Sequence, residues 1–108
     1  NPHRLVQMLM EGGLDRIAQA KGALARGDIA EKGLMLGKAI DIIIGLRDGL
    51  DAGKSEDPAY VQQLESLYVY MTNRLMEANV KNDVTIMDEV LGLLVTVKSG
   101  WDAIGVAE

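Results

Sequence analysis

Apolar residues recur every three or four positions through four successive stretches of this 108-residue chain, and that spacing constrains its fold more than any other feature. In the first stretch Val6, Leu9, Met10, Gly13, Leu14, Ile17, Ala20 and Leu24 follow it. In the second, Ile29, Leu36, Ile43 and Leu50 fall seven apart with Ala39, Ile40 and Leu46 between them, as the seam of a helix bundle requires. Leu64, Leu67, Tyr68, Met71, Leu75 and Ala78 form the third set, and Met87, Val90, Leu91, Leu94, Val97 and Trp101 the fourth. A period of 3.6 residues puts each set on one face of an amphipathic helix.

The boundaries are marked by side-chain chemistry. Asn1-Pro2 and Asp57-Pro58 each place a capping side chain before the residue whose fixed φ suits a first helical turn. Gly27 after Arg26 supplies a left-handed exit, and Asp28 and Asp83 stand as caps for the second and fourth helices. Residues 51–57 (DAGKSED) predict one real loop, the third helix is expected to end near Asn79, and residues 80–83 to form a tight turn. Residues 42–44 and 84–97 are rich in β-branched side chains and favour strand on propensity, but the helical period on either side outweighs it. Four helices of similar length with short connections predict an all-α, antiparallel up-down four-helix bundle, a single domain over residues 1–108.

Composition narrows the function. A net charge of −5 argues against a nucleic-acid partner, which requires a basic face for phosphates. The longest apolar runs, residues 39–46 and 90–97, fall far short of the ~20 residues that span a bilayer, and the first contains Asp41. No membrane insertion is therefore expected. No secretory signal pattern opens the sequence, and the absence of cysteine fits a cytoplasmic protein. A di-metal bundle enzyme needs Glu-x-x-His pairs, whereas the chain has one histidine, His3, with no such Glu. Neither a metal nor another cofactor is expected. His3 is also poorly placed for phosphotransfer: it sits in the first helical turn, where it is expected to be solvent-exposed. There is no glycine-rich phosphate loop or nucleophile elbow. Asp15, Asp41 and Asp48 read as single acids on solvated faces, and the chain is not expected to be an enzyme.

Surface patterning says more. Rotating each residue by about 100° places Ile86, Leu93, Val97 and Ile104 on a second apolar stripe of the fourth helix, with Met35, Ile42 and Leu46 on a comparable flank of the second. A helix that is apolar beyond one face is either fully buried or touches a partner. These flanks are expected to meet a partner; a wide core stripe or a homodimer contact is the alternative. Eight glycines fall inside the expected helices, from Gly12 to Gly92, and either let helices approach closely or leave shallow grooves. Tyr68 lies on the core stripe. Tyr70, two residues on, should lie at its edge with its hydroxyl open to a partner or to Arg74 one turn away.

The block Leu67-Tyr68-Val69-Tyr70-Met71, Arg74-Leu75 and Ala78-Asn79 resembles the signature of the flagellin-specific export chaperones of bacterial flagella, the FliS family. The opening residues Asn1-Pro2-His3-Arg4-Leu5 are similar to that family's entry into its first long helix. The element from Met8 to Gly12 matches Met-Leu-aromatic-x-Gly except that Met10 replaces the aromatic, and Gly12-Gly13 stands where Gly-Ala is common. Lys38-Ala39-Ile40-Asp41-Ile42-Ile43 resembles a Lys-Ala-x-x-Ile-Ile segment, and Glu89-Val90, Leu93-Leu94 and Trp101 follow in order. The resemblance implies a cytoplasmic chaperone that holds the C-terminal helices of flagellin, prevents premature polymerisation and supports delivery to the type III export apparatus, with export gate components as further partners. It also implies a short segment before the first long helix, carrying an aromatic and covering part of the groove, which this sequence does not contain. The expected partner-binding residues are Met35, Ile42, Leu46, Tyr70, Arg74, Ile86, Leu93, Val97 and Ile104. The competing reading is a non-enzymatic regulatory or structural bundle whose apolar flanks form a homodimer.

Overall fold

The computed structural model describes residues 1–52 and 57–106. They form four helices: α1 (Pro2–Ala25), α2 (Ile29–Ala52), α3 (Pro58–Lys81) and α4 (Val84–Val106). Each runs 23 or 24 residues, about 36 Å at 1.5 Å per residue. They run alternately up and down, and each packs on two neighbours: α1 on α2 and α4, α3 on α2 and α4. The β-branched run at the start of α4 is helical throughout. Burial of its apolar face outweighs a weak local preference for strand.

All four helix starts are capped as the sequence indicates. The Asn1 side chain accepts from the His3 amide at 3.0 Å, and Asp28 from that of Glu31 at 3.0 Å. Asp57 accepts from Ala59 and Tyr60, and Asp83 from Thr85 and Ile86. The exit of α1 is a Schellman motif: Gly27, at φ +75°, donates to the Leu24 carbonyl and Asp28 to that of Ala23. α3 leaves the same way through Asn82, at φ 51°, with Asp83 donating to Ala78. The helix therefore runs to Lys81 rather than stopping near Asn79, because the left-handed residue is Asn82 and Asn79 has other work. Of residues 51–57, expected as loop, 51 and 52 belong to α2, Asp57 caps α3, and 53–56 lie outside the described residues.

The core is aliphatic. Met10, Ile17, Leu36, Ile43, Met71, Leu75, Met87, Val90 and Leu94 are almost wholly buried, with Tyr68 the one aromatic among them. Methionine's flexible stem fills the irregular space that a phenylalanine-free core leaves. Gly13 brings α1 close to both neighbours, since a Cβ there would lie 3.1 Å from Leu94 and 3.6 Å from Ile42. One seam position fails. Ile29 is 49% exposed, because it opens α2 beyond the end of the packed core.

Two ties between distant helix ends were not visible in the sequence. Lys32 is buried to 3% exposure and donates to the Asn79 carbonyl at 2.9 Å and to its side-chain oxygen. Its ammonium sits at the negative end of α3, where a cation is stabilising. At the opposite end of the bundle the Trp101 indole donates to the His3 carbonyl at 2.9 Å, and the His3 ring stacks on Trp101 with centroids 4.7 Å apart.

Two substitutions test this packing. Tyr68→Ala is expected to cost about 3–5 kcal/mol in urea unfolding, as for other buried large-to-small changes. Gly37 sits on the exposed face of α2 with nothing within 4 Å of an added Cβ, so Gly37→Ala should stabilise by ~0.5–1 kcal/mol. A destabilisation at Gly37 would mean that face is packed.

Candidate functional site

Tyr70, Arg74, Glu77 and Lys81 follow one another along the edge of α3 that faces α4, and Glu89 meets them from the second turn of α4. The Tyr70 hydroxyl donates to one Glu89 oxygen at 2.7 Å and the Arg74 Nε–H to the other, also at 2.7 Å. Arg74 pairs in turn with Glu77, which accepts from Lys81 at 3.2 Å. The Tyr70 hydroxyl is thus already engaged, and by Glu89 rather than Arg74. The hydrogen bond from Tyr70 and that from Arg74 hold the Glu89 carboxyl below the usual range. The same bond to Glu89 raises the Tyr70 hydroxyl above its ordinary value. For Tyr68, one turn from Met71 in the core, burial pushes the hydroxyl up to about 12, with Tyr60 adding to the shift.

A second polar ladder joins α1 to α4. Asp102 accepts from Gln7 at 2.7 Å and from Lys98 at 2.7 Å, and Glu11 faces both Arg4 and Lys98. Lys98 and then Gln7 keep the Asp102 carboxyl low. Glu89 on one side and Asp88, Lys98 and Asp102 on the other show that α4 turns one flank to α3 and the opposite flank to α1.

That geometry corrects part of the expected surface. Met35, Leu46 and Ile86 are only 6, 5 and 5% exposed and belong to the core. A helix with two neighbours needs an apolar arc wide enough for both, so the second stripe is the other half of a core face. Ile86 and Leu93, three before and four after Glu89, lie on the α3 flank of α4. Ile42 turns toward α1, 3.4 Å from where a Gly12 Cβ would stand. Leu93 and Val97 are half-buried against the core, whereas Tyr70 and Ile104 stand 42 and 48% exposed. The pattern of stripes missed other exposed apolar residues, among them Leu5, Met8, Leu34, Ile44, Met76 and Val80. Their only sequence signal is an apolar side chain on an otherwise polar outer face.

The chemistry open to such a surface is binding. His3, expected to face solvent, is instead stacked on Trp101 with its Nε2 enclosed and without a hydrogen-bond partner. Among the described residues no group of three or more His, Asp or Glu side chains is arranged to hold a metal. No helix of the described chain is long and apolar enough to cross a membrane. Asp15, Asp41 and Asp48 are all exposed.

Apolar side chains exposed on every helix give this bundle outer surface open to a partner. The chain belongs to the FliS family of flagellar proteins, whose family model, described as flagellar protein FliS, matches residues 1–108. This is a family of chaperones and not of enzymes. The flagellar secretion chaperone FliSB of Pseudomonas aeruginosa is 56% identical over 104 residues, covering 96% of this chain and 81% of that protein. The flagellar secretion chaperone FliS of Vibrio cholerae is 44% identical, over 96% of this chain and 75% of its own length. That of Salmonella typhimurium is 41% identical over 96% of this chain and 76% of its own.

The pH dependence of this surface follows from Glu89 and Asp102. Both carboxyls titrate lower in the fold than in the unfolded chain, so their contribution is complete above about pH 4–4.5 and is lost as pH falls through the depressed folded values. In side-chain carboxyl NMR titrations Glu89 should titrate below a free glutamate, and Tyr70→Phe should move it back up. An unchanged Glu89 titration in Tyr70→Phe would mean that the bond does not form in solution.

Proposed function

We propose that this protein is a cytoplasmic export chaperone that covers the C-terminal helical region of flagellin, keeps it from assembling early, and supports its delivery to the flagellar type III export apparatus. Membership of the FliS family over the full chain carries this reading. Physical chemistry supports it. A segment that packs inside a filament has an apolar face, and that face needs cover while the segment is a monomer. A bundle with grooves between its helices accepts such a face as a helix laid in a groove. Apolar side chains stand exposed on each helix here, for example Met8, Ile44, Met76 and Ile104.

On this reading Ile42, Tyr70, Arg74, Leu93, Val97 and Ile104 are client contacts, whereas Met35, Leu46 and Ile86 support them from the core. The test is co-purification with full-length flagellin against flagellin lacking its C-terminal helices. Retention of the first and loss of the second is expected; equal capture of both, or of neither, overturns the proposal. Ile104→Glu separates binding from folding. It should weaken capture while shifting stability by no more than about 0.5 kcal/mol, as at other open surface positions.

A further inference from the structure

The groove between α1 and α2 has a charged end and an apolar end. Its register can be read from Ile42, which lies against Gly12 and Gly13. Because the helices are antiparallel, moving one turn forward from Gly12 along α1 and one turn back from Ile42 along α2 brings Arg16 and Lys38 opposite each other. Moving the other way, Met8 and Leu5 lie one and two turns before Gly12, and Gly45 and Gly49 one and two turns after Ile42. Met8 and Leu5 are 53 and 58% exposed, and a shallow depression lined by Pro2, Arg4, Leu5 and Met8 opens there. Cβ atoms added at Gly45 and Gly49 would meet nothing within 4 Å.

The charges at the other end are unusual for this chain. Acids outnumber bases 16 to 11, and the basic side chains are mostly matched. Arg4, Lys21, Arg47, Arg74, Lys81 and Lys98 each have a carboxylate, and Lys32 has Asn79. Among the described arginines and lysines only Arg16, Arg26 and Lys38 have neither an ion pair nor a side-chain hydrogen bond. Two of these three, Arg16 and Lys38, fall at the same level of the α1/α2 groove. Asp15 and Asp41 are nearby along the two helices, but neither pairs with them. A carboxylate placed between two unmatched cations at one level of a groove is attracted by both.

We infer that the α1/α2 groove receives an amphipathic helix of the flagellin client, its apolar face on Leu5, Met8 and Ile42 and an Asp or Glu of its flank held by Arg16 and Lys38. This inference rests on the flagellin reading above and adds an electrostatic recognition element to it. The arginine supplies a planar fork for the carboxylate and the lysine a point charge. The pair selects clients with an acid at that turn and fixes the register of the bound helix.

The experiment is calorimetric titration of the chain with a flagellin C-terminal helical fragment at about 0.05 and 0.3 M salt, a range over which screening between exposed charges changes strongly. Wild type should bind more weakly at high salt. Arg16→Ala/Lys38→Ala is expected to lose roughly tenfold in affinity at low salt and most of the salt dependence, a magnitude typical of a charge-assisted contact. Lys38→Gln alone, at an exposed position that cannot unfold the bundle by losing packing, should give a smaller loss in the same direction. Arg26→Ala, the remaining unmatched cation, should bind as wild type does. A double variant that keeps both affinity and salt dependence overturns the recognition role and leaves the chaperone reading standing. Failure of wild type to bind the fragment overturns that reading and this inference with it.

Discussion

Each helix of this bundle must satisfy two neighbours at once, and the rest of the structure follows from that requirement. A helix touching one partner needs only a narrow seam, whereas α2 and α4 each bury an arc that faces α1 on one flank and α3 on the other. The chain meets this with aliphatic residues and methionine, and with Gly13 where α1 comes close to both neighbours. The apolar surplus read along α2 and α4 is largely the second half of these arcs. What is left over after both contacts are made, such as Ile104 and the line of Leu5 and Met8 on α1, is the surface available to a partner.

Hydrophobic arcs alone do not fix which helix ends meet, because apolar packing is non-directional. The polar ties supply that register. Lys32 links the start of α2 to the end of α3, the Trp101 indole and the Gln7–Asp102 bond join the start of α1 to the end of α4, and Glu89 fastens α4 to the edge of α3. Lys32 is the most consequential of these. It is buried, so replacing Asn79 with an apolar residue would leave its ammonium with the Asn79 backbone carbonyl as its one acceptor. The exposed pairs are individually worth little, and their role is orientation.

How much of this was legible in the sequence depends on the range of the interaction. Local chemistry read correctly: the four caps at Asn1, Asp28, Asp57 and Asp83 act within three residues, and so does the left-handed exit at Gly27. The end of α3 lies two residues past Asn79, because the two Asn residues look alike in sequence while Asn82 is the left-handed one and Asn79 bonds Lys32. The burial of Met35, Leu46 and Ile86 depended on the angular separation of two neighbours, which periodicity along one helix does not contain. The same holds for His3, whose partner Trp101 is 98 residues away. The edge position of Tyr70 was legible, and its acceptor, Glu89 on the next helix, was not.

On the proposed reading, the core arcs hold the bundle while the apolar side chains left outside them meet the client. Methyl NMR of the chain, titrated with the C-terminal helices of flagellin, tests it directly. Shifts are expected at the outer methyls of Leu5, Met8 and Ile104 and at the half-buried Ile42, with Leu36, Ile43, Met71 and Leu94 holding their positions. Widespread shifts among those core methyls would mean that the client enters by opening the bundle, and would contradict the division between core and binding surface.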